Sequence, residues 1–133
     1  MPSVGLLDTS VFIAREDGRP LGALPERVVV SVVTIGELQL GVLGAKGVDI
    51  RARRADTLAL ARAADPLPIS EAVMGTWARL VADCRKAGIQ RAIKLTDSLI
   101  AATAIEHGLP VVTQDRDFTR VAEAHPELMV LSV

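Results

Sequence analysis

Aromatic side chains are close to absent: the 133 residues include two Phe, one Trp and no Tyr. A surface that holds single-stranded nucleic acid by stacking bases on rings is therefore excluded as the main mode of binding. A nucleic-acid partner would have to be held by arginines and by shape. Cysteine is as scarce, and the lone Cys84 excludes an internal disulfide and a cysteine-built zinc site. No apolar run reaches membrane-spanning length and no signal-like segment opens the chain, so a soluble, cytoplasmic protein is expected. An excess of one charge is also lacking. The formal net charge is −1, which does not advertise a polyanionic partner. The basic residues are nevertheless clustered, with Arg51, Arg53, Arg54 and Arg62 in one segment and Arg85, Lys86, Arg91 and Lys94 in another. A locally basic surface is compatible with that pattern.

What the chain has is aliphatic mass. Half of its residues are hydrophobic, enough at this length for one core built from Leu, Val, Ile and Ala, and a single domain over 1–133 is expected. Residues 4–7 (VGLL) are apolar without period-two alternation, the pattern of a strand buried on both faces. Residues 28–33 and 109–113 share it. Helical segments with caps and stops are expected at 35–44, 48–64, 70–87, 96–107 and 118–124, with Gly44, Gly88 and Gly108 at helix ends. Residues 66–69 are extended and suit a sheet edge because proline cannot donate to a central ladder. Residues 128–133 form a last strand. Strands alternating with helices predict a parallel α/β sandwich.

The informative residues are acids at the ends of these segments. Asp8 closes the first strand and is followed by Thr9 and Ser10, both N-cap types. It either caps the next helix or stands where open α/β sheets bind ligands, at the carboxyl end of a central strand. Asp97 shares a helix face with Ile100, Ala101 and Ala104, so its carboxylate points inward. It is either favoured by the helix dipole or in need of a cation, donors or a raised pKa. Glu37, with Val33, Leu40 and Gly41 as helical neighbours, also faces inward, where an arginine could pair with it. Asp115 and Asp117 follow the strand at 109–113, and one of them is expected to cap the next helix. Singly, each acid has a plain structural role. Together, two strand ends and two helix starts on one edge of a parallel sheet bring four or five carboxylates into mutual repulsion, which a divalent cation would relieve. Oxygen-only donors suit Mg²⁺ or Mn²⁺. Such ions activate water and stabilise the leaving oxygen in phosphodiester hydrolysis.

The segments LLDTSVFI, TIGELQLG, KLTDSLIAATA and VVTQDRDF, in that order, resemble those of the PIN-domain ribonucleases, specifically the VapC toxins of toxin–antitoxin modules. The likeness covers essentially the whole chain. It implies a three-layer α/β/α sandwich with a short, mostly parallel central sheet. It also implies Asp8, Glu37, Asp97 and Asp115 as catalytic, metal-binding acids, Asp117 as a fifth acid binding directly or through water, and Thr9 and Thr113 as supporting hydroxyls. The activity implied is Mg²⁺-dependent endoribonucleolytic cleavage of structured RNA such as tRNA or rRNA, with Mn²⁺ able to substitute, which inhibits translation and growth. A cognate antitoxin and a homodimer are implied as well. Gln114-Asp115 stands where many relatives have Arg-Asn, which leaves open whether Asp115 or Asp117 is the closer ligand.

Two other functions compete. A metal-dependent phosphatase is similar in its paired acids to Asp115-Arg116-Asp117, but such enzymes need the pair directly after the first strand, where Thr9-Ser10 follow Asp8. A catalytically silent RNA-binding or assembly module of the same fold is at odds with the intact acid set. His107 at a helix end, His125 in a turn before Pro126, Cys84 in the core or on a helix flank, and Trp77 as a packing or interface residue are read as structural. Phe12, Leu38, Leu40, Val42 and Leu43 exceed what one helix face needs and suggest a partner-binding groove.

Overall fold

The computed structural model describes residues 2–133. In chain order these form β1 (Val4–Leu7), α1 (Thr9–Glu16), β2 (Arg27–Ser31), α2 (Val32–Leu43), α3 (Val48–Arg62), β3 (Pro66–Leu67), α4 (Glu71–Lys86), α5 (Leu95–Glu106), β4 (Val111–Thr113), α6 (Asp117–Ala124) and β5 (Val130–Ser132). The strands make one sheet in the order β3-β2-β1-β4-β5, and every pairing is parallel. Successive strand residues point to opposite faces, and here both faces are apolar. Leu6, Val29 and Val111 pack with Leu80, Ile100, Ala104 and Phe118 on the side of α4, α5 and α6. Leu7, Val30 and Val112 pack with Phe12, Leu38, Leu58 and Ala61 on the side of α1, α2 and α3. The unbroken apolar runs are thus the mark of a middle layer, and the α/β/α sandwich follows.

Where boundaries differ from expectation, a capping interaction has overruled strand propensity. The strand expected at 28–33 stops at Ser31, whose Oγ accepts from Val33 N at 3.1 Å. Val32 and Val33 thereby enter α2 despite their β-branching. The strand expected from 109 begins at Val111, because Gly108 (φ +66°) lets Leu109 N donate back to Ala104 O at 2.9 Å and finish α5. The last strand is likewise shorter than 128–133. Among the described residues no helix is long and apolar enough to cross a membrane.

Three structural side chains find particular places. Cys84 is core, at 1 % exposure, and Trp77 Nε1 donates to Ser98 Oγ at 2.9 Å, tying α4 to α5. His125 is more than a turn residue: it is buried, and its Nδ1 lies 2.7 Å from Asp83 Oδ2, which joins the end of α6 to α4. The apolar surplus divides. Phe12 and Leu38 belong to the core, whereas Leu40 and Leu43 are 71 % and 68 % exposed on α2.

Gly5 marks a close approach within the sheet. A Cβ there would lie 2.6 Å from Val112 Cγ2 and 2.9 Å from Pro25 Cγ, and a valine packed in the core has little freedom to yield. Gly5→Ala is expected to destabilise the fold by about 1–3 kcal/mol, measured by urea unfolding. Combining it with Val112→Ala should cost less than the sum of the two single changes.

Candidate active site

The sheet grows from β1 in two directions, through β2 to β3 on one side and through β4 to β5 on the other. A crevice therefore opens at the carboxyl ends of β1 and β4, the place where open α/β sheets bind ligands. Asp8 follows β1 directly, and Asp115 lies just beyond β4. Glu37 in α2 and Asp97 in the first turn of α5 complete the set that sequence reading brought to this edge.

Asp8 is 2 % exposed. It is both cap and site residue: its Oδ2 accepts from Ser10 N, the N–H of the second residue of α1, but at a long 3.4 Å. The shorter bonds come from hydroxyls, Ser10 Oγ at 2.7 Å and Thr113 Oγ1 at 2.9 Å. Burial pushes the Asp8 carboxyl upward, while those hydroxyls and the N–H groups of Ser10 and Thr9 oppose the rise by favouring the anion.

Glu37 takes its hydrogen bond from Thr9, whose Oγ1 donates to Oε1 at 2.8 Å. Thr34 Oγ1 lies 2.9 Å from Thr9 Oγ1. Since the Thr9 proton is directed at the carboxylate, Thr34 is the donor to Thr9. No arginine pairs with Glu37: Arg54 lines the same cavity of about 310 Å³ but donates to Gly41 O at 2.7 Å. Among the described residues the ion pairs are Arg27–Asp65 and His125–Asp83.

Asp97 is the exposed nerve of the site. Lys94 precedes α5 without a side-chain cap, and among the described residues no hydrogen bond reaches the half-buried Asp97 carboxylate. It lies in the first turn of α5, where the helix dipole favours an acid, but it makes no capping bond. Its pKa is pushed up to about 7, first by burial, then by the charges of Asp8, Glu37 and Asp115, with Lys94 opposing. Those three charges place Asp97 at the electrostatic centre of the group.

Asp115 has a local duty too. Its Oδ1 accepts from Asp117 N at 2.9 Å at the start of α6, while its own N–H donates to Thr113 Oγ1 at 2.8 Å. Asp117 is half-buried and its charge is not among those that raise Asp97. Of the two acids, Asp115 is the one whose charge bears on Asp97. The carboxylates share one field, but among the described residues no three acids converge closely enough to form a ready-made coordination sphere.

Thr9 and Thr113, expected as supporting hydroxyls, each hold one acid. Ser10, read as a cap type, bonds Asp8 as well, and Thr34 bonds Thr9 and so backs the hydroxyl that holds Glu37. Their sequence signal is a hydroxyl beside an acid motif: Ser10 serves the acid two residues before it, whereas Thr34 meets Thr9, 25 positions away, a partner that could not be read locally.

Comparison with known proteins identifies the family. The PIN domain family profile matches residues 5–124. Ribonuclease VapC8 of Mycobacterium tuberculosis is 70 % identical over 101 residues, which cover 76 % of this chain and 90 % of that protein. Ribonuclease VapC5 of the same organism is 45 % identical over 119 residues, covering 88 % and 87 %. A crystal structure of VapBC-5, a member of the VapBC family of toxin-antitoxin systems from Mycobacterium tuberculosis, superposes with a TM-score of 0.87 at 39 % identity, covering 99 % of this chain and 100 % of that one. With its crevice acids on a fully parallel α/β/α frame, the chain belongs to the PIN-domain family, in the VapC group of ribonucleases.

Proposed function

We propose that the protein is a metal-dependent endoribonuclease that hydrolyses phosphodiester bonds in structured RNA such as tRNA or rRNA, acting in the cytoplasm as the toxin of a toxin–antitoxin pair. The observation that carries the chemistry is Asp97: a half-buried carboxylate without a hydrogen-bond partner among the described residues, in the field of three other acids. A buried anion in that position calls for a counter-charge, and no arginine or lysine supplies one by contact. The donors are all oxygens and include no imidazole or thiolate, which fits a hard divalent ion, Mg²⁺ or Mn²⁺. Asp8, Glu37, Asp97 and Asp115 would hold it, with Asp117 as an outer acid. Such an ion supplies a water of lowered pKa and a counter-charge for the oxygens of the scissile phosphate.

The chain's own residues prepare that site. Ser10 and Thr113 favour the anionic form of Asp8 against its burial, and Thr9, backed by Thr34, fixes one oxygen of Glu37. The pKa of about 7 lets Asp97 release its proton near neutral pH when a cation arrives. Arginines on α3 and in the α4–α5 connection are the cations available for the RNA backbone, in keeping with a chain poor in aromatics. Relatives titled VapBC are toxin–antitoxin complexes, which supports a cognate antitoxin for this chain, and the exposed Leu40 and Leu43 of α2 offer it apolar surface. A homodimer and inhibition of translation and growth complete the proposed function.

Asp97→Asn keeps the side chain's shape and removes its charge. Cleavage of total cellular RNA by the purified variant should fall at least about 100-fold, and chelation should abolish wild-type cleavage. An Asp97→Asn protein that cuts at near wild-type rate with chelator present would sink the metal mechanism.

Stability offers a second check. In the folded chain Asp97 titrates near 7 against an ordinary 3.8. Between these values the folded state holds a proton that the unfolded state has lost, so metal-free stability declines as pH rises from about 4 to about 7 and then levels off. Asp97→Asn removes that decline. With chelator it should melt above wild type at pH 8 and level with it near pH 4. Its upward shift on adding Mn²⁺ should be much smaller than the wild type's, in thermal melts followed by circular dichroism.

A further inference from the structure

Two hydrogen-bond relays run in parallel onto Asp8. Beyond β4, two successive peptide N–H groups point back into the crevice: Gln114 N donates to Ser10 Oγ at 3.1 Å, and Asp115 N donates to Thr113 Oγ1 at 2.8 Å. Each hydroxyl, already an acceptor, has a single proton left to give. Both protons go to one atom, Asp8 Oδ2, at 2.7 Å from Ser10 and 2.9 Å from Thr113. The 3.2 Å approach of the two hydroxyl oxygens follows from that shared acceptor. Relays of this kind polarise along their length, and bonds to a carboxylate are the stronger sort.

The peptide that starts the first relay is itself fastened. Gln114 Nε2 donates to Pro20 O at 3.0 Å and to Val133 O at 3.2 Å, pinning the turn to the loop after α1 and to the end of the chain beyond β5. Helix capping does not explain the Ser10 hydroxyl. The cap bond uses the Ser10 peptide N–H and is the longest of the three bonds to Oδ2. Oδ1 of Asp8 receives none of the three.

We propose that Ser10 is a positioning residue of the hydrolytic site: its hydroxyl, together with that of Thr113, holds Asp8 by Oδ2, leaves Oδ1 to be presented to a ligand, and locks Asp8 to the turn that carries Asp115. Neither Ser10 nor its relay touches the reacting atoms; it acts through Asp8. The role rests on the metal-dependent nuclease function proposed above.

The test uses the full chain as wild type, Ser10→Ala, Ser10→Cys and Ser10→Thr. Two quantities are read: the Mn²⁺ concentration at the midpoint of the thermal-melt shift, and kcat and KM for cleavage of total cellular RNA. With Ser10→Ala the Mn²⁺ midpoint should rise about 10- to 100-fold, and kcat should fall while KM for RNA stays unchanged. Ser10→Thr, which keeps the donor, should restore both. Ser10→Cys, of similar size but a weaker donor, should fall between, and it supplies the comparison if Ser10→Ala does not fold. A Ser10→Ala protein that melts lower in chelator yet keeps the wild-type Mn²⁺ midpoint and kcat would show a purely structural hydroxyl and overturn the proposal. A wild-type protein that neither gains stability from Mn²⁺ nor cuts RNA would instead overturn the nuclease function, and the role of Ser10 with it.

Discussion

Burial of Asp8 where β1 runs into α1 is the constraint on which the rest of the site depends. A carboxylate at 2 % exposure is sustained only if donors replace the water it has lost. Those donors arrive from two directions. Ser10 lies two residues along the chain, and Thr113 comes from the neighbouring parallel strand, 105 residues away in sequence. The pairing of Leu7 with Val112 in the sheet register puts Thr113 beside Asp8, so the hydrogen bonds that hold the acid are a consequence of the ladder that holds the sheet.

The charge of Asp8 bears on its neighbours. Among the described residues Asp97 has no hydrogen bond, and burial together with the repulsion of Asp8, Glu37 and Asp115 raises its pKa. Glu37 is held by Thr9, and Asp115 by the peptide of Asp117. The four acids therefore divide into three that are tethered and one that is not. Such an arrangement stores electrostatic strain in the metal-free fold at the place where chemistry is proposed, in keeping with the general tendency of perturbed acids to mark functional sites. The hydroxyls of Thr9, Ser10, Thr34 and Thr113 set the geometry, and the carboxylates supply the charge.

The two helical layers serve the crevice differently. α4, α5 and α6 close the larger apolar core and carry Asp97 and the turn of Asp115, with the Trp77–Ser98 and His125–Asp83 bonds as polar ties between helices. α1, α2 and α3 carry Glu37 and line the cavity beside it, and they keep Leu40 and Leu43 uncovered.

The order of elements, the middle-layer character of VGLL and VVVS, and the inward aim of Asp97 were legible in the sequence, because they depend on local periodicity and on residues within a turn of one another; Glu37 is half-buried, but Leu40, a neighbour used to place it, is exposed. The four acid segments were also enough to indicate the family. Local signals failed where a hydrogen bond ended an element: Ser31 drew two valines out of a strand, and Gly108 kept Leu109 for the end of α5. They failed as well for His125, whose partner lies 42 residues away. Tertiary structure alone decided that Glu37 bonds to a threonine and no arginine, and that Ser10 and Thr113 meet on one oxygen of Asp8. Residue type and spacing along the chain determine which face a side chain takes; which atom it meets there depends on strand order and register, which bring together residues a hundred positions apart.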